Sequence, residues 1–441
     1  MNSLEKYTKE SILKTKILYC FRVYYYSLNY KKEQEEINAE NHNHKHDNST
    51  VLLIDNFGFS HYTSYLARGL AKYRDIILYA FSRDDYVITG AAREKRIRFY
   101  CMEDKLPKGS SIRLTVVRLS ILFFILAKAL YRREYGTVHI QDRLPMFFLF
   151  LPFLKLNAKQ ICWELHDIDI LQYSKGIRGK IEELFVKIVT QDKFLGKHAD
   201  IIIVHGSSLK RRLAAKGVNQ SKIHVMPHFD YRYLLYNTDS SNANDNLIDT
   251  YGNSLSPDNY VLFFGDVTPW KGIDVLINAA RIVRKRIGEK FCMLIAGETF
   301  RGDMSYYESL GEDESRYIHT YNKYIKGFEI PHILRRARFL VLPYTKAFHS
   351  QSGVLSLAYT FSKPVIVSNV GSVAEYVEHG KTGFIFEEGN SSQLAEYITE
   401  LLDDDSKCIE MGKKAYQKMI EEMSLEKCCE IIERLYSEYR K

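Results

Sequence analysis

No run of apolar residues in this 441-residue chain reaches the roughly 18 positions that a membrane-spanning helix needs. Nor does the chain open on a short apolar core followed by a small-residue cleavage site, the pattern of a secretory leader. The expectation is a cytoplasmic protein that at most touches the inner face of the cell membrane. The seven cysteines (Cys20, Cys101, Cys162, Cys292, Cys408, Cys428, Cys429) are odd in number. They show neither paired CxxC spacing nor a disulfide ladder, so they read as thiols in a reducing compartment. A strong charge of one sign is missing as well. The net +8 is modest and dispersed, and suits an anionic ligand or an acidic membrane surface as well as nucleic acid. Without a recognition motif, the nucleic-acid reading is disfavoured. The GxxxxGK[ST] phosphate loop is absent too. What is present is an ordinary globular composition, 46% hydrophobic and 26% charged, with apolar residues enough for a large core. At about 150 residues per domain, the length suits two or three domains.

Residues 1–50 form an extension in which the Tyr- and Lys-rich "KILYCFRVYYYSLNYKK" gives way to the polar "EQEEINAENHNHKHDNST". His42, His44 and His46 stand in that run without a second ligand cluster and read as solvated linker. From residue 51 the rhythm changes. "VLLIDNFGFSHYTSYLARGLAKYRDIILYAF" is an apolar strand, a turn at Gly58, a helix with Tyr62, Tyr65, Leu66 and Leu70 in step, and a second strand. That is a βαβ unit and implies a parallel sheet. "VHIQD", "QICWELHD" and "ADIIIVHG" continue it, each an apolar strand ending in polar residues. Ligands of such sheets sit beyond the carboxyl ends of the strands, which singles out His139, Gln141, His166 and Asp167. Residues 236–258, rich in Asn, Asp and Ser, read as a linker. The rhythm then restarts with "YVLFFG", "KGIDVLINAARIVRKRIG", "FCMLIAG", "FLVLPY" and "PVIVS". The expected architecture is α/β, with two Rossmann-like doubly wound domains, 51–235 and 259–422, facing a central cleft. A last helix over about 423–441 is expected to return to the first domain.

The stretch "HSQSGVLSLAYTFSKPVI" carries the sharpest chemistry. Val354, Leu355, Leu357, Ala358 and Phe361 place one apolar helix face against a sheet, and Pro364 ends the segment. Before that face come Ser352 and Gly353, where free backbone N–H groups and the positive end of the helix dipole gather. Such an end suits a phosphate, although Ser352 could equally be a simple N-cap. In "FFGDVTPWKGID" a strand runs into a loop whose Lys271 can meet the same diphosphate as a point charge. In "VIVSNVGSVAEYVEHGKTGF" a strand ends at Gly371, with Glu375 about a turn beyond. Two strand-edge clefts of this kind suit a nucleotide sugar and its acceptor.

"KGIDVLINA", "FLVLPY", "SQSGVLSLAYTFSKPVIVSNVGSVAEYVEHGKTGF" and "KIHVMPHFD" resemble the GT-B glycosyltransferases, specifically family 4, or group 1. The likeness is ordered over about 257–400, weaker over 51–235, and absent from 1–50. It implies transfer of a sugar from a nucleoside-diphosphate donor with retained configuration, with no cofactor and no obligatory metal, and with the donor in the C-terminal domain. Carried over, Lys271 neutralises diphosphate charge, Ser352 and Gly353 offer backbone N–H groups, and Gly58 opens the N-terminal loop toward the donor. The chain departs from the pattern where the family has an Arg five positions before the Lys, which here is Asp266. The family's paired Glu residues fall on His349 and Leu357. His349 retains a hydrogen-bonding ring for a sugar hydroxyl or the leaving phosphate, whereas Leu357 cannot hold ribose hydroxyls. The Ser-Gly-Val start resembles a variant of the family's donor loop, and an active enzyme with altered donor contacts is expected.

On the acceptor side, His166 is the candidate to orient or deprotonate the incoming hydroxyl, with His139 and Asp167 beside it. Asp167 and Asp169 form a DxD, a metal motif of another fold, which is discounted here. "RLTVVRLSILFFILAKALYRREYG" and "RLPMFFLFLPFLKLNAK" carry broad apolar faces suited to core or to a membrane surface. A glycan or lipid-linked glycan acceptor in cell-surface polysaccharide synthesis fits this picture. Two other readings share the architecture: a nucleotide-sugar epimerase, and a non-catalytic nucleotide-sugar-binding partner of another transferase.

Overall fold

The computed structural model describes residues 50–54, 60–80, 87, 89–101, 135–141, 158–166, 196–236, 260–299 and 310–439. The N-terminal extension, residues 237–258 of the linker, Gly58, Asp167 and both candidate membrane stretches apart from their ends lie outside them. Both sheets belong to one compact unit, Asn48–Lys441.

The first sheet comprises β1 (Val51–Ile54), β2 (Ile76–Ala80), β3 (Ile97–Cys101), β4 (Tyr135–Gln141), β5 (Ala158–Leu165), β6 (Ile201–Val204) and β7 (Ile223–Val225), all parallel, in the order β3-β2-β1-β4-β5-β6-β7. These strands are near-continuous apolar runs because a parallel sheet is covered on both faces. The period of two still sorts them. Val51, Leu53, Ile76, Leu78, Cys162, Ile201 and Ile203 pack on the face of α1 (Ser60–Leu70), whereas Leu52, Ile54, Val138, Trp163, Ile202 and Val204 pack with Leu209 and Leu213 of α2 (Ser207–Ala215). The polar set His139, Gln141 and Glu164 breaks this apolar lining near the carboxyl ends of β4 and β5, on the α1 face.

The second sheet comprises β8 (Tyr260–Phe264), β9 (Met293–Ala296), β10 (Ile318–Tyr321), β11 (Ala337–Leu342), β12 (Val365–Ser368) and β13 (Gly383–Phe386), again all parallel, in the order β10-β9-β8-β11-β12-β13. Its principal helices are α3 (Ile273–Ile287), α4 (Ile330–Arg336), α5 (Gly353–Thr360), α6 (Ser391–Asp403) and α7 (Asp405–Glu422). Both sheets are doubly wound, and their strand order reverses between β1 and β4 and between β8 and β11. Those reversals open a crevice at the strand ends, where ligands bind in such folds.

The last helix, α8 (Leu425–Glu438), lies against α1. Leu425, Cys428, Cys429, Ile432, Leu435 and Tyr436 form its buried stripe, at helical spacing. Its start is held twice: Ser424 caps Lys427 N, and Asp230 accepts the N–H of Leu425 at 2.8 Å. Arg74 closes the same interface with a two-toothed ion pair to Glu433.

The sequence expectation for α5 needs one correction. It predicts burial of a single face, yet every residue from Leu355 to Thr360 is buried. The second face is covered by the chain leaving the first sheet: Ser356 Oγ donates to the His228 carbonyl at 2.9 Å, and Thr360 Oγ1 accepts from Tyr231 N at 3.0 Å. The helix also stops at Thr360, before Pro364, with Ser362 at φ 54°.

Candidate active site

The β8–β11 reversal brings together Lys271, Ser352 and Gly353. Lys271 closes the one-turn 3-10 helix after β8, and its Nζ stands 3.8 Å above the Tyr344 ring and 4.7 Å from that of Phe348. Aromatic faces hold a cation while leaving its charge available, since they neutralise nothing. The Tyr344 hydroxyl in turn meets Ser352 Oγ at 2.9 Å. Ser352 occupies the N-cap position of α5, but its side chain makes no capping bond, which sets aside the reading of Ser352 as a simple cap. The start of α5 therefore presents backbone N–H groups and the positive end of a dipole beside a lysine.

Three buried polar atoms around this edge lack a partner within the described residues: Thr268 Oγ1, Gln351 Nε2 and Ser372 Oγ. Buried polar atoms are ordinarily paired, so unpaired ones on the loops that carry Lys271 and Ser352 suit a polar ligand. A cavity of about 360 Å³ lies elsewhere, at the ends of β12 and β13, lined by Asn369, Phe386, Glu387, Glu388 and Gln393 among others. Its two carboxylates oppose an anionic donor, and the Lys271–Ser352 edge is the better diphosphate site.

The other expected donor residues have distinct placements. A Cβ on Gly353 would lie 2.8 Å from Tyr231 Oη and 3.3 Å from His228 Cε1, so only glycine lets the two halves of the molecule meet there. Gly371 sits at φ +53° with the Phe348 carbonyl 2.5 Å from any added Cβ; it shapes the turn that backs His349. His349 is partly exposed, two residues before Gln351. Glu375 is drawn to the first sheet, where its carboxylate accepts the N–H groups of Ser207 at 2.8 Å and Ser208 at 3.0 Å, capping α2 from across the cleft. Leu357 is 4% exposed within the core, so the position of the family's second acid faces packing rather than ligand. Asp266 is exposed at the loop after β8.

The first sheet contributes histidines. His166, at the end of β5, is 6% exposed, and its carbonyl accepts from Ser350 Oγ. Its ring stands edge-on to Tyr62 at 4.6 Å and lies 4.6 Å from the ring of His205. Burial first, and the neighbouring His205 second, push its pKa down to about 3, against a smaller opposing pull from Glu164. A group so weakly basic is a poor proton acceptor near neutrality. In this closed arrangement His166 serves as a neutral hydrogen-bonding ring. His228, likewise held neutral chiefly by burial, faces Gly353, and its N–H donates to Gln351 Oε1 at 2.6 Å.

His139 is corrected from the acceptor side to the interior. It is fully buried, with Nδ1 2.6 Å from Tyr436 Oη on α8 and Nε2 2.9 Å from Glu164 Oε2. Both ring nitrogens are engaged, and none remains for an acceptor.

Glu164 is the residue that sequence reasoning passed over. Its buried carboxylate accepts from Tyr62 Oη and, at 3.2 Å, from Gln141 Nε2. His205 Nε2 lies 3.2 Å from Oε1 as an ion-pair neighbour, outside hydrogen-bond geometry. Burial would raise the Glu164 pKa, but the His139 and His205 rings outweigh it and hold the carboxyl well below its ordinary range. One signal was available: a lone acid inside the apolar strand "QICWEL". Glu164, His166 and His205 offer ligand atoms within 4.8 Å of one another, a spacing compatible with a metal. The carboxylate is already occupied by protein donors, however, so its geometry is accounted for without one.

Residues 251–418 match the family model for glycosyl transferases group 1. An uncharacterized glycosyltransferase of Methanocaldococcus jannaschii is 30% identical over 185 residues, 41% of this chain and 48% of that protein. The capsular polysaccharide biosynthesis glycosyltransferase CapM of Staphylococcus aureus is 25% identical over 247 residues, 54% of this chain and 62% of that one. The chain thus spans about half to three fifths of the length of these relatives. Among solved structures, Anabaena HepE in complex with UDP and glucose superposes with a TM-score of 0.61 at 15% identity, covering 88% of this chain and 100% of that one. The strand order, the Lys271–Ser352 edge and these likenesses converge: the chain has the two-sheet fold of the GT-B glycosyltransferases and carries a glycosyl transferases group 1 domain over residues 251–418.

Proposed function

We propose that this protein is a retaining glycosyltransferase of family 4. It moves a sugar from a nucleoside-diphosphate donor to a glycan or lipid-linked glycan in cell-surface polysaccharide synthesis. The observation that carries the reading is the uncapped start of α5 beside Lys271, whose charge rests on Tyr344 and Phe348 rather than on a carboxylate. As the bond from the sugar to the diphosphate breaks, negative charge grows on the leaving oxygen. Preorganised N–H groups and a fixed cation stabilise it there. This supply of positive charge makes a metal unnecessary for the leaving group. His349, near the same helix start, is suited to bond a sugar hydroxyl or the departing phosphate, while His166 and His228 line the acceptor side. The polysaccharide role rests on the relative CapM, and a nucleotide-sugar donor on the UDP-bound neighbour HepE. Among the described residues no helix is long and apolar enough to cross a membrane. Peripheral contact with the inner face of the cell membrane fits a lipid-linked acceptor.

A thermal-shift series with UDP-, GDP- and ADP-sugars tests the donor site. A ligand at a hundred times its Kd adds about 2.7 kcal/mol to the folded state, so the true donor raises Tm by several degrees. If none of these sugars shifts Tm at millimolar concentration, the donor-site assignment is wrong.

A further inference from the structure

Resting on the reading of this cleft as the site of sugar transfer, we propose that Glu164 and Tyr436 are positioning residues for that reaction, linked in one hydrogen-bond chain from the C-terminal helix to the cleft. A carboxylate only accepts, so His139 Nε2 carries the hydrogen toward Glu164, and its Nδ1 lies 2.6 Å from the Tyr436 hydroxyl. From Glu164 the chain passes to Tyr62, whose hydroxyl donates to Oε1. The Tyr62 ring is stacked on Phe229 at 3.9 Å and meets His166 and His228 edge-on at 4.6 Å and 4.7 Å. Those two histidines bear on the donor helix: the His166 carbonyl holds Ser350, and His228 abuts Gly353. The Glu164 carboxylate is fully buried, away from the surface a ligand would meet. It acts by fixing the rings that do.

Two features argue against Glu164 being mere core packing. A buried carboxylate is costly to keep unless every donor around it is in place, and an apolar residue would fill the same space beside Ile161, Cys162, Trp163 and Leu165. Its donors also come from two separate elements, Tyr62 of α1 and His139 and Gln141 of β4, and Tyr436 adds α8 through His139. The network therefore registers the returning helix against the sheet that faces the donor.

The test uses the full chain and nucleotide release, with water or a soluble glycan hydroxyl taking the sugar, from whichever of UDP-glucose, UDP-N-acetylglucosamine, GDP-mannose and ADP-glucose stabilises the wild type most. Glu164→Gln is expected to lower kcat by roughly 10- to 100-fold, in the range of outer-shell partners that orient working histidines, with donor KM within about twofold. Tyr436→Phe removes one hydroxyl and keeps the buried ring. It is expected to lower kcat about three- to tenfold, again at constant KM, and it carries the test if Glu164→Gln does not fold. Because both act through one chain, the double variant is no slower than Glu164→Gln alone, and Glu164→Asp recovers part of the rate. Unchanged kcat in both single variants, or full multiplication of their effects in the double, overturns the inference while leaving the transferase reading intact. A wild type that is stabilised by a donor yet releases no nucleotide, either to water or to a panel of glycan and lipid-linked glycan acceptors, removes the transfer reading itself, and this inference with it.

Discussion

At the scale of single residues, the site is defined as much by what holds each side chain as by which side chains are present. Among the described residues no carboxylate pairs with Lys271; two aromatic faces hold it instead, which keeps its charge for the donor. Lys271→Ala is expected to cost about 1.5–3 kcal/mol of donor binding, the worth of a charged hydrogen bond, or roughly ten- to a hundredfold in Kd by calorimetry. A Kd within a factor of two of wild type would place the diphosphate elsewhere. His139 and His166 have the same side chain and both stand at the ends of strands, yet only His166 borders the cleft. The sequence marked both, because a strand-end position is legible from alternation. Which of the two a returning helix would cover is not, since Tyr436 lies 297 positions from His139 along the chain.

Among elements, the two sheets are joined by contacts that serve as caps. α2 begins at Gly206 without a side-chain cap of its own, and Glu375 supplies one from the other half of the molecule. A carboxylate at a helix N-terminus is favourable both as acceptor and by the helix dipole. Glu375→Ala is expected to weaken this contact by about 0.5–2 kcal/mol. Hydrogen exchange at the Ser207 and Ser208 amides should then quicken roughly tenfold, and unchanged exchange would show that the contact does not persist in solution. The central strands, α3, α5 and the chain of helices after Asn390 were legible from apolar period and punctuation, whereas the outer strands β3, β7, β10 and β13 were not. The all-round burial of α5 was not, because residues 228–231 that cover its second face come from a distant segment.

Across the whole molecule, the buried titratable groups set a direction for stability against pH. His166 and His228 have folded pKa values below the ordinary histidine value, His166 near 3. Below about pH 6.5 the unfolded chain takes up protons that these rings refuse, so stability falls with acidification from that point. Each such group contributes a slope of up to about 1.4 kcal/mol per pH unit. Glu164, ionised in the fold with a depressed pKa, acts in the same direction at lower pH: its contribution is present above the ordinary carboxylate range and is lost as pH falls from that range through the depressed folded value. Melting temperature is therefore expected to drop between pH 6.5 and 5, and His228→Gln should flatten the slope there. An equal slope in wild type and variant would mean that His228 titrates normally in the folded state.

The sequence by itself determined the two doubly wound sheets, their carboxyl-edge loops and the pairing of Lys271 with the start of α5. All of these follow from short-range periodicity, and the strand order of such folds carries the loops to one edge. Only the tertiary structure decided that Glu164 stands at the centre of a histidine cluster, that Glu375 caps a helix of the opposite half, and that His139 belongs to the interior beneath α8. Those outcomes depend on which distant donors arrive to satisfy a buried acid or an uncapped helix, and a local pattern holds no record of them.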